Sequence, residues 1–470
     1  MAMNIGTRRE PLWDYTLVDK DKTTATLSVN HPERRQMVFK ADKYWEGEGG
    51  TYACIVPDDD GYKFYYDGSG RHTYDPYTLK LNENCAVSCY VNTPDGVHFE
   101  RENLGIYGDT NVILKDTWET RCGFMVFKDK NPLCPPEERY KGVQRIEKGG
   151  GDFTKSGALA TFVSADGIHF TEKEITIDEQ GKFDSANVAF YDKEDGLYKI
   201  IHRDFENGNI RALRLRTSKD FKNWDDRGFF KYDDGQTIQM YTNNVQKYRR
   251  APHVYIGLPV RYVERLKWNE NYDYLPDKEY RASKCYEPNY PRWGLALTDS
   301  LFMTSRDGVN WHRFDEAFCD GGYEKSGRWL YGDGYFAYGM IDGEDEHYLY
   351  SFEKGTSDAA CELWQHAIRF DGFASFKAKY SGAEVVTKPF IFEGNELSIN
   401  FRTSAAGSIY VVIEDESGNA ARSIEIFGNN IDRKVKFNKS LEAFAGKNVT
   451  IKFKMRDAEI YSFKFGFKAE

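Results

Sequence analysis

One short pattern recurs along the chain and restricts its fold more than any other feature. It reads Thr93-Pro-Asp-Gly-Val-His-Phe99, Ser164-Ala-Asp-Gly-Ile-His-Phe170, Ser218-Lys-Asp-Phe-Lys-Asn-Trp224 and Ser305-Arg-Asp-Gly-Val-Asn-Trp311. Each copy has a hydroxyl residue, then Asp, usually Gly, then an aromatic. Each follows an alternating stretch: Ala86–Asn92, Leu159–Val163, Ile210–Arg216 and Ser300–Thr304. The physical reading is a tight hairpin: Asp caps the turn's own amides, Gly accepts positive φ, and the aromatic starts the next strand by packing inward. A fifth, degenerate copy is Arg369-Phe-Asp-Gly-Phe-Ala-Ser-Phe376.

Five copies, spaced by about 55 to 90 residues, predict the outer hairpins of five four-stranded propeller blades. Two strands should precede each copy. Candidates are Thr51–Val56 with Tyr62–Tyr66, Gly123–Lys128 with Arg139–Ile146, and Asn187–Tyr191 with Leu197–His202. Asn243–Tyr248 with Val254–Val260, and Tyr335–Ile341 with His347–Phe352, complete the set. No long stretch has a 3.6-residue apolar period. Asp-rich runs such as Pro57-Asp-Asp-Asp-Gly61 read as hairpin turns, because they lack the spacing of a calcium loop. After about Tyr380 the texture changes to clean alternation without Trp, as in Leu397-Ser-Ile-Asn-Phe-Arg and Val449-Thr-Ile-Lys-Phe-Lys. The fold class expected is therefore all-β, a five-bladed β-propeller followed by a C-terminal antiparallel β-sandwich. Residues 1–40 are expected to pack on the propeller, residues 41–380 to form it, and residues 381–470 to form an accessory sandwich.

Composition narrows the partners. A net charge of -10 argues against a nucleic-acid surface, and no segment approaches the ~20 apolar residues of a membrane-spanning helix. Aromatics make up 16% of the chain; they pack sheet against sheet and can also form platforms for sugar rings. None of the eight Cys forms a CxxC pair, so a zinc site is not expected. No cofactor is expected, with a structural calcium left open. The N-terminus Met-Ala-Met-Asn-Ile-Gly has no apolar signal core, which fits a cytoplasmic protein or one whose signal has been removed.

In a propeller the leading ends of the innermost strands, and the trailing ends of the second strands, meet on one face. That rule selects the polar residues able to converge in a central funnel. Blade one offers Glu48 beside Glu46, blade two Glu119, and blade three Asp184 with Asn187. The second strand of blade three adds Arg203 and Asp204, read either as site residues or as an internal salt bridge. Blade four supplies Asn243 and Arg261, and blade five Trp329 and Asp333. Two or three carboxylates facing across a sugar-sized gap are what glycosidic cleavage requires. Each acid is equally readable as a turn cap.

The runs Gly49-Gly-Thr-Tyr52, Phe183-Asp-Ser-Ala-Asn-Val-Ala-Phe190, His202-Arg-Asp-Phe205 and Ala251-Pro-His-Val-Tyr-Ile-Gly-Leu-Pro-Val-Arg-Tyr262 resemble bacterial glycosyl hydrolase-like proteins. Those proteins carry an arabinanase/levansucrase/invertase-type propeller. The resemblance extends over most of the chain and implies a relation to glycoside hydrolase families 32, 43 and 68. It implies catalytic acids on blades one, two and three, which puts Glu48 in the nucleophile or base role and Asp184 in the general-acid role. Those families generally place Asp on blade one and Glu on blade three, the reverse of this chain. On blade two, Lys128-Asp-Lys-Asn-Pro132 is a loose counterpart of their Arg-Asp-Pro, with Glu119 as its rival.

The expectation is a glycosidase acting on an oligosaccharide or polysaccharide, a furanoside in particular, through Glu48, Asp184 and Asp333. Asn187, Arg203, Asp204, Asn243, Arg261, Trp329 and Glu119 would line the site. A glycoside phosphorylase and a non-catalytic carbohydrate-binding propeller are the alternatives. Oligomeric state is not legible.

Overall fold

The computed structural model describes residues 2–46, 52–69, 85–117, 121–146, 157–177, 181–285, 294–354 and 360–468. The recurring turns fold as their chemistry requires. Asp95 Oδ1 accepts from the amides of Val97 and His98 at 2.8 and 2.9 Å, while Thr93 Oγ1 accepts from Gly96 N at 2.8 Å. Asp166 and Asp307 repeat this arrangement on Ile168 and His169 and on Val309 and Asn310. The residue after Asp is left-handed each time, with φ of 77° at Gly96, 76° at Gly167 and 78° at Gly308. In blade three that position is Phe221, at φ 61°. Its ring packs on Phe127, Tyr198 and Trp224, contacts that offset the backbone strain.

These turns join the third and fourth strands of four blades. Blade one is Ala53–Asp58, Gly61–Ser69, Cys85–Thr93 and Val112–Thr117, paired antiparallel in that order. Blade two is Arg121–Lys128, Tyr140–Ile146, Ala158–Ser164 and Thr171–Ile177. Blade three is Val188–Asp192, Leu197–Glu206, Ile210–Ser218 and Asp225–Phe229. Blade four is Gln246–Tyr248, Ala251–Gly257, Met303–Ser305 and Asn310–Arg313, with Lys231–Tyr232 added at its outer edge. Between its second and third strands runs an excursion with a hairpin, Val260–Val263 against Leu297–Ser300, and a short helix, Lys278–Cys285.

The fifth turn departs from the expectation. Blade five is Ile341–Asp342, Glu346–Glu353 and Cys361–Arg369, and its fourth strand is Glu33–Ala41 from the N-terminal region. The chain after Arg369 instead enters Ala374–Ala378, which pairs with Thr26–Val29 and with the long strand Val449–Gly466. The degenerate sequence thus marks the crossing from propeller to sandwich, and the ring is closed by strands from its two chain ends. The C-terminal region, with Glu396–Asp415 and Val449–Gly466 as its longest pairing, is the antiparallel sandwich. Met3–Gly6, Arg9–Pro11 and Thr26–Val29 join its sheet.

The crossing is held by one carboxylate. Asp371, fully buried and at φ 59°, accepts from Tyr248 Oη and Ser462 Oγ at 2.6 Å. It also accepts from Arg250 Nε at 2.9 Å and Arg9 Nη1 at 3.2 Å. Its carbonyl accepts from Trp13 Nε1 at 2.9 Å. Burial alone would raise its pKa, but Arg9, Arg250 and the hydroxyl donors outweigh it and bring it down to about 2.

At the Asp-rich turn of blade one, Lys128 Nζ lies 2.8 Å from both Asp58 Oδ1 and Asp59 Oδ1. Among the described residues Cys54, Cys89, Cys134, Cys285, Cys319 and Cys361 are free thiols. No described helix is long and apolar enough to cross a membrane.

Two outcomes are expected. Asp371→Ala leaves Arg9 and Arg250 buried without their shared anion and should cost roughly 3–5 kcal/mol in chemical denaturation. Because the folded pKa lies below the unfolded value, the wild-type contribution is complete above about pH 4 and lost as pH falls toward 2. The variant's acid-stability profile should be flatter in that window. Gly96→Ala combines a left-handed φ with a Cβ 2.1 Å from Tyr350 Oη, and should lower stability by about 1–3 kcal/mol.

Candidate functional site

The leading ends of the inner strands do converge. A Cβ on Gly123 of blade two would lie 3.0 Å from Ser185 O of blade three and 3.7 Å from the Tyr52 ring of blade one. Tyr52 Oη donates to Asp184 O at 3.3 Å, and Ser185 Oγ donates to Tyr241 O of blade four at 2.6 Å. The Tyr335 ring of blade five lies 6.3 Å from Tyr52 and 6.0 Å from Tyr241. All five blades therefore reach one small region.

Within it Asp184 is the accessible acid, with 43% of its side chain exposed. Partial burial works against its charge, but its ion pair with Arg203 and the nearby Arg145 outweigh this and lower its pKa. Arg203 is buried, 4% exposed, and its guanidinium carbon sits 4.8 Å from the Tyr241 ring centroid. Tyr262, from the blade-four excursion, stacks on Tyr241 with centroids 5.9 Å apart, and Arg211 lies over Tyr262 at 4.1 Å. Tyr331 closes this wall, 5.7 Å from Tyr241 and 6.0 Å from Tyr262.

A second carboxylate belongs to the same region. Asp67, on the second strand of blade one, accepts from Gly123 N at 2.9 Å and from the amide of Phe124, while its own amide donates to Tyr52 O. It is buried, and no cation stands beside it among the described residues. Burial pushes its pKa up to about 7 against the pull of the two amides. The pKa values of Asp184 and Asp67 are thus shifted in opposite directions in neighbouring surroundings.

The other expected residues fall into different places. Glu48 and Glu119 lie outside the described residues. Glu46, beside Glu48 in sequence, is a buried structural acid held by Arg101 and Tyr66. Asn187 Nδ2 donates to Phe183 O and Ser185 O at 2.8 Å, bracing the loop that carries Asp184. Asn243 Nδ2 donates to Ala186 O and Ile201 O, tying blade four to blade three. Arg203 and Asp204 do not pair with each other, because adjacent strand residues face opposite sides of the sheet. Asp204 pairs instead with Arg214 at 2.9 Å.

Arg261 is engaged by Asp299 at 2.8 and 2.5 Å and by Asp315 O, while its neighbour Tyr262 faces the aromatic wall. Trp329, at φ 59°, donates from Nε1 to Gly322 O within its own loop. Asp333 is buried and caps that loop, accepting from Trp329 N at 2.5 Å and Leu330 N at 3.3 Å. Burial raises its pKa to about 6, moderated by Arg328.

The sequence reading passed over Asp67, Arg145 and the tyrosine wall. The signal was there. Trailing ends of second strands reach the funnel, and blades one, two and three carry Asp67, Arg145 and Arg203 at those ends. The tyrosines stand in the same loops as Asn243, Arg261 and Trp329, so the funnel rule reaches Tyr241, Tyr262 and Tyr331 as well.

No protein-family model matches the chain, and no curated protein matches it in sequence. Solved structures resemble it at low identity. An N-acetylgalactosamine deacetylase from F. plautii, in complex with blood group B trisaccharide, is 12% identical with a TM-score of 0.44, covering 74% of this chain and 96% of that one. A family GH32 β-fructofuranosidase of Bombyx mori is 10% identical with a TM-score of 0.44, covering 94% and 96%. A glycosyl hydrolase from Bacteroides ovatus is 12% identical with a TM-score of 0.43, covering 73% and 94%. These likenesses are too distant to carry an activity across.

The ion pair can be tested apart from any activity. Arg203→Met should move the Asp184 titration upward in carboxyl-labelled NMR spectra, because burial then acts with less opposition. An unchanged midpoint would assign the control of Asp184 to Arg145 instead.

Proposed function

We propose that this chain is a glycosidase that works at the funnel of its propeller, with Asp184 and Asp67 as its working carboxylates. The observation that carries the reading is the pair of carboxylates at one funnel: half-buried Asp184, engaged by Arg203 with its pKa lowered, and buried Asp67, held by the Gly123 and Phe124 amides with its pKa raised to about 7. Glycosidic cleavage needs both, one to donate a proton to the leaving oxygen and one to attack the anomeric carbon or activate water. Asp67 is assigned the proton and Asp184 the anion. This exchanges the general-acid role that the sequence resemblance implied for Asp184. Glu48 stays as a further candidate acid on blade one, and Asp333 is assigned to holding the Trp329 loop.

The tyrosine wall with Arg203 and Arg211 supports a carbohydrate substrate, since aromatic faces take the apolar faces of sugar rings and guanidinium groups bind hydroxyls. Preference for a furanoside rests on the resemblance to families 32, 43 and 68. The engagement of Arg203 and Arg261 by carboxylates weighs against their use as phosphate ligands in a phosphorylase.

A panel of aryl pyranosides and furanosides is the test. Asp184→Asn and Asp67→Asn should each lower kcat/KM on the hydrolysed substrate by about 10²–10⁴-fold with folding intact. For the wild type, kcat/KM should fall as pH rises through about 7, because Asp67 loses the proton it must donate. That limb should vanish in Asp67→Asn. Full activity in both variants would sink the assignment.

A further inference from the structure

The opposite end of the channel holds a second cavity that plays no part in the funnel. It has a volume of about 510 Å³ and is lined by the far ends of the inner strands of all five blades. Its floor is apolar, with Ile55, Val126, Phe190, Tyr338 and Met340 among its walls. Its charged groups are unbalanced: Lys128, Lys130, Lys193, Lys247 and Arg249 against Asp192 and Glu194. That excess of cations stands out in a chain whose net charge is -10.

Some of these cations are already satisfied. Lys128 pairs with Asp58 and Asp59, Lys247 with Asp192 at 3.3 Å, and Arg249 with Asp342 at 3.0 Å. Lys130 and Lys193 have no ion pair among the described residues. Although its side chain reaches solvent, partial enclosure in the cavity, followed by the like charges of Arg249, Lys193 and Lys128, lowers the Lys130 pKa. Lys130 and Lys193 thus bear a mutual repulsion that an anion in the cavity would relieve.

We infer that this cavity is a binding site for a small phosphate monoester whose body is a single ring. The phosphate, near two negative charges at neutral pH, would sit between Lys130 and Lys193, and the ring on the apolar floor. Lysine ammonium groups are compact, strongly hydrated charges that suit a phosphate dianion better than a planar carboxylate. A volume of this size holds one ring with its phosphate. The inference is independent of the funnel chemistry, because no residue assigned there lines this cavity.

Calorimetric titration with phenyl phosphate, glucose 6-phosphate, benzoate, glucose and inorganic phosphate tests it on the full chain. At least one of the two monoesters should bind saturably, at least tenfold more tightly than inorganic phosphate or benzoate, and more weakly as salt rises. Glucose should not bind. Lys130→Glu with Lys193→Glu, both exposed and outside the core, should weaken the monoester at least tenfold, whereas Asp184→Asn should leave it unchanged. The site is overturned if neither monoester binds, if benzoate binds as tightly, or if affinity survives the double charge reversal. A loss in Asp184→Asn would overturn it too, by moving the ligand to the funnel.

Discussion

The carboxylate of Asp371 is the interaction on which the assembly turns. It sits where the chain leaves blade five, and its partners come from every body that meets there. Arg9 and Trp13 belong to the N-terminal segment, Tyr248 and Arg250 to blade four, and Asn400 and Ser462 to the sandwich. A buried anion with so many donors can be satisfied in only one relative placement of these elements, because any shift strands at least one guanidinium. The N-terminal segment is locked a second time by Glu10, fully buried, with Arg306 of blade four at 2.7 Å. The result is a propeller whose sandwich is fixed to its side rather than tethered.

Closure of the ring follows from the same geometry. A propeller of separate hairpins would open wherever its first and last blades meet. Here Glu33–Ala41 forms the outer strand of blade five before the chain begins blade one, so main-chain hydrogen bonds cross the seam. The repeated turns add further ties. The Tyr350 hydroxyl of blade five donates to Gly96 O in the blade-one turn, and Tyr65 of blade one donates to Gly167 O in the blade-two turn. The glycine that allows positive φ therefore also allows the neighbouring blade to approach.

Such a rigid ring lets polar residues stand close together at the funnel without collapsing onto one another. Asp67 keeps a raised pKa because its burial outweighs the two amides that face it. Asp184, a short distance around the ring, keeps a low one because Arg203 does. Asp184 and Arg203 are both carried by blade three, on its leading loop and its second strand, so the fold of that blade sets which cation this acid meets. Asn187 and Asn243 serve this by bracing backbone, although their positions at the strand ends invited a ligand-binding reading.

The blade count, the turn chemistry, the strand pairs and the change of texture near Tyr380 were written locally, in alternation and in Ser/Thr-x-Asp-Gly spacing. Local patterns of that kind are legible because turn caps and left-handed glycines act over a few residues. The route of the fifth hairpin was not legible: Arg369–Phe376 keeps Asp-Gly and the aromatic while lacking the Ser/Thr, and only pairing with Thr26–Val29 and Val449–Gly466 sends it into the sandwich. The same limit applied at the funnel. Sequence placed Asp184 and Arg203 at one end of blade three, but their pairing with each other, rather than with Asp204, depends on which face of the strand each occupies. The raised proton affinity of Asp67 depends on a desolvated setting made by residues from two blades. Chemistry that rests on burial and on long-range neighbours exists only once the ring has closed.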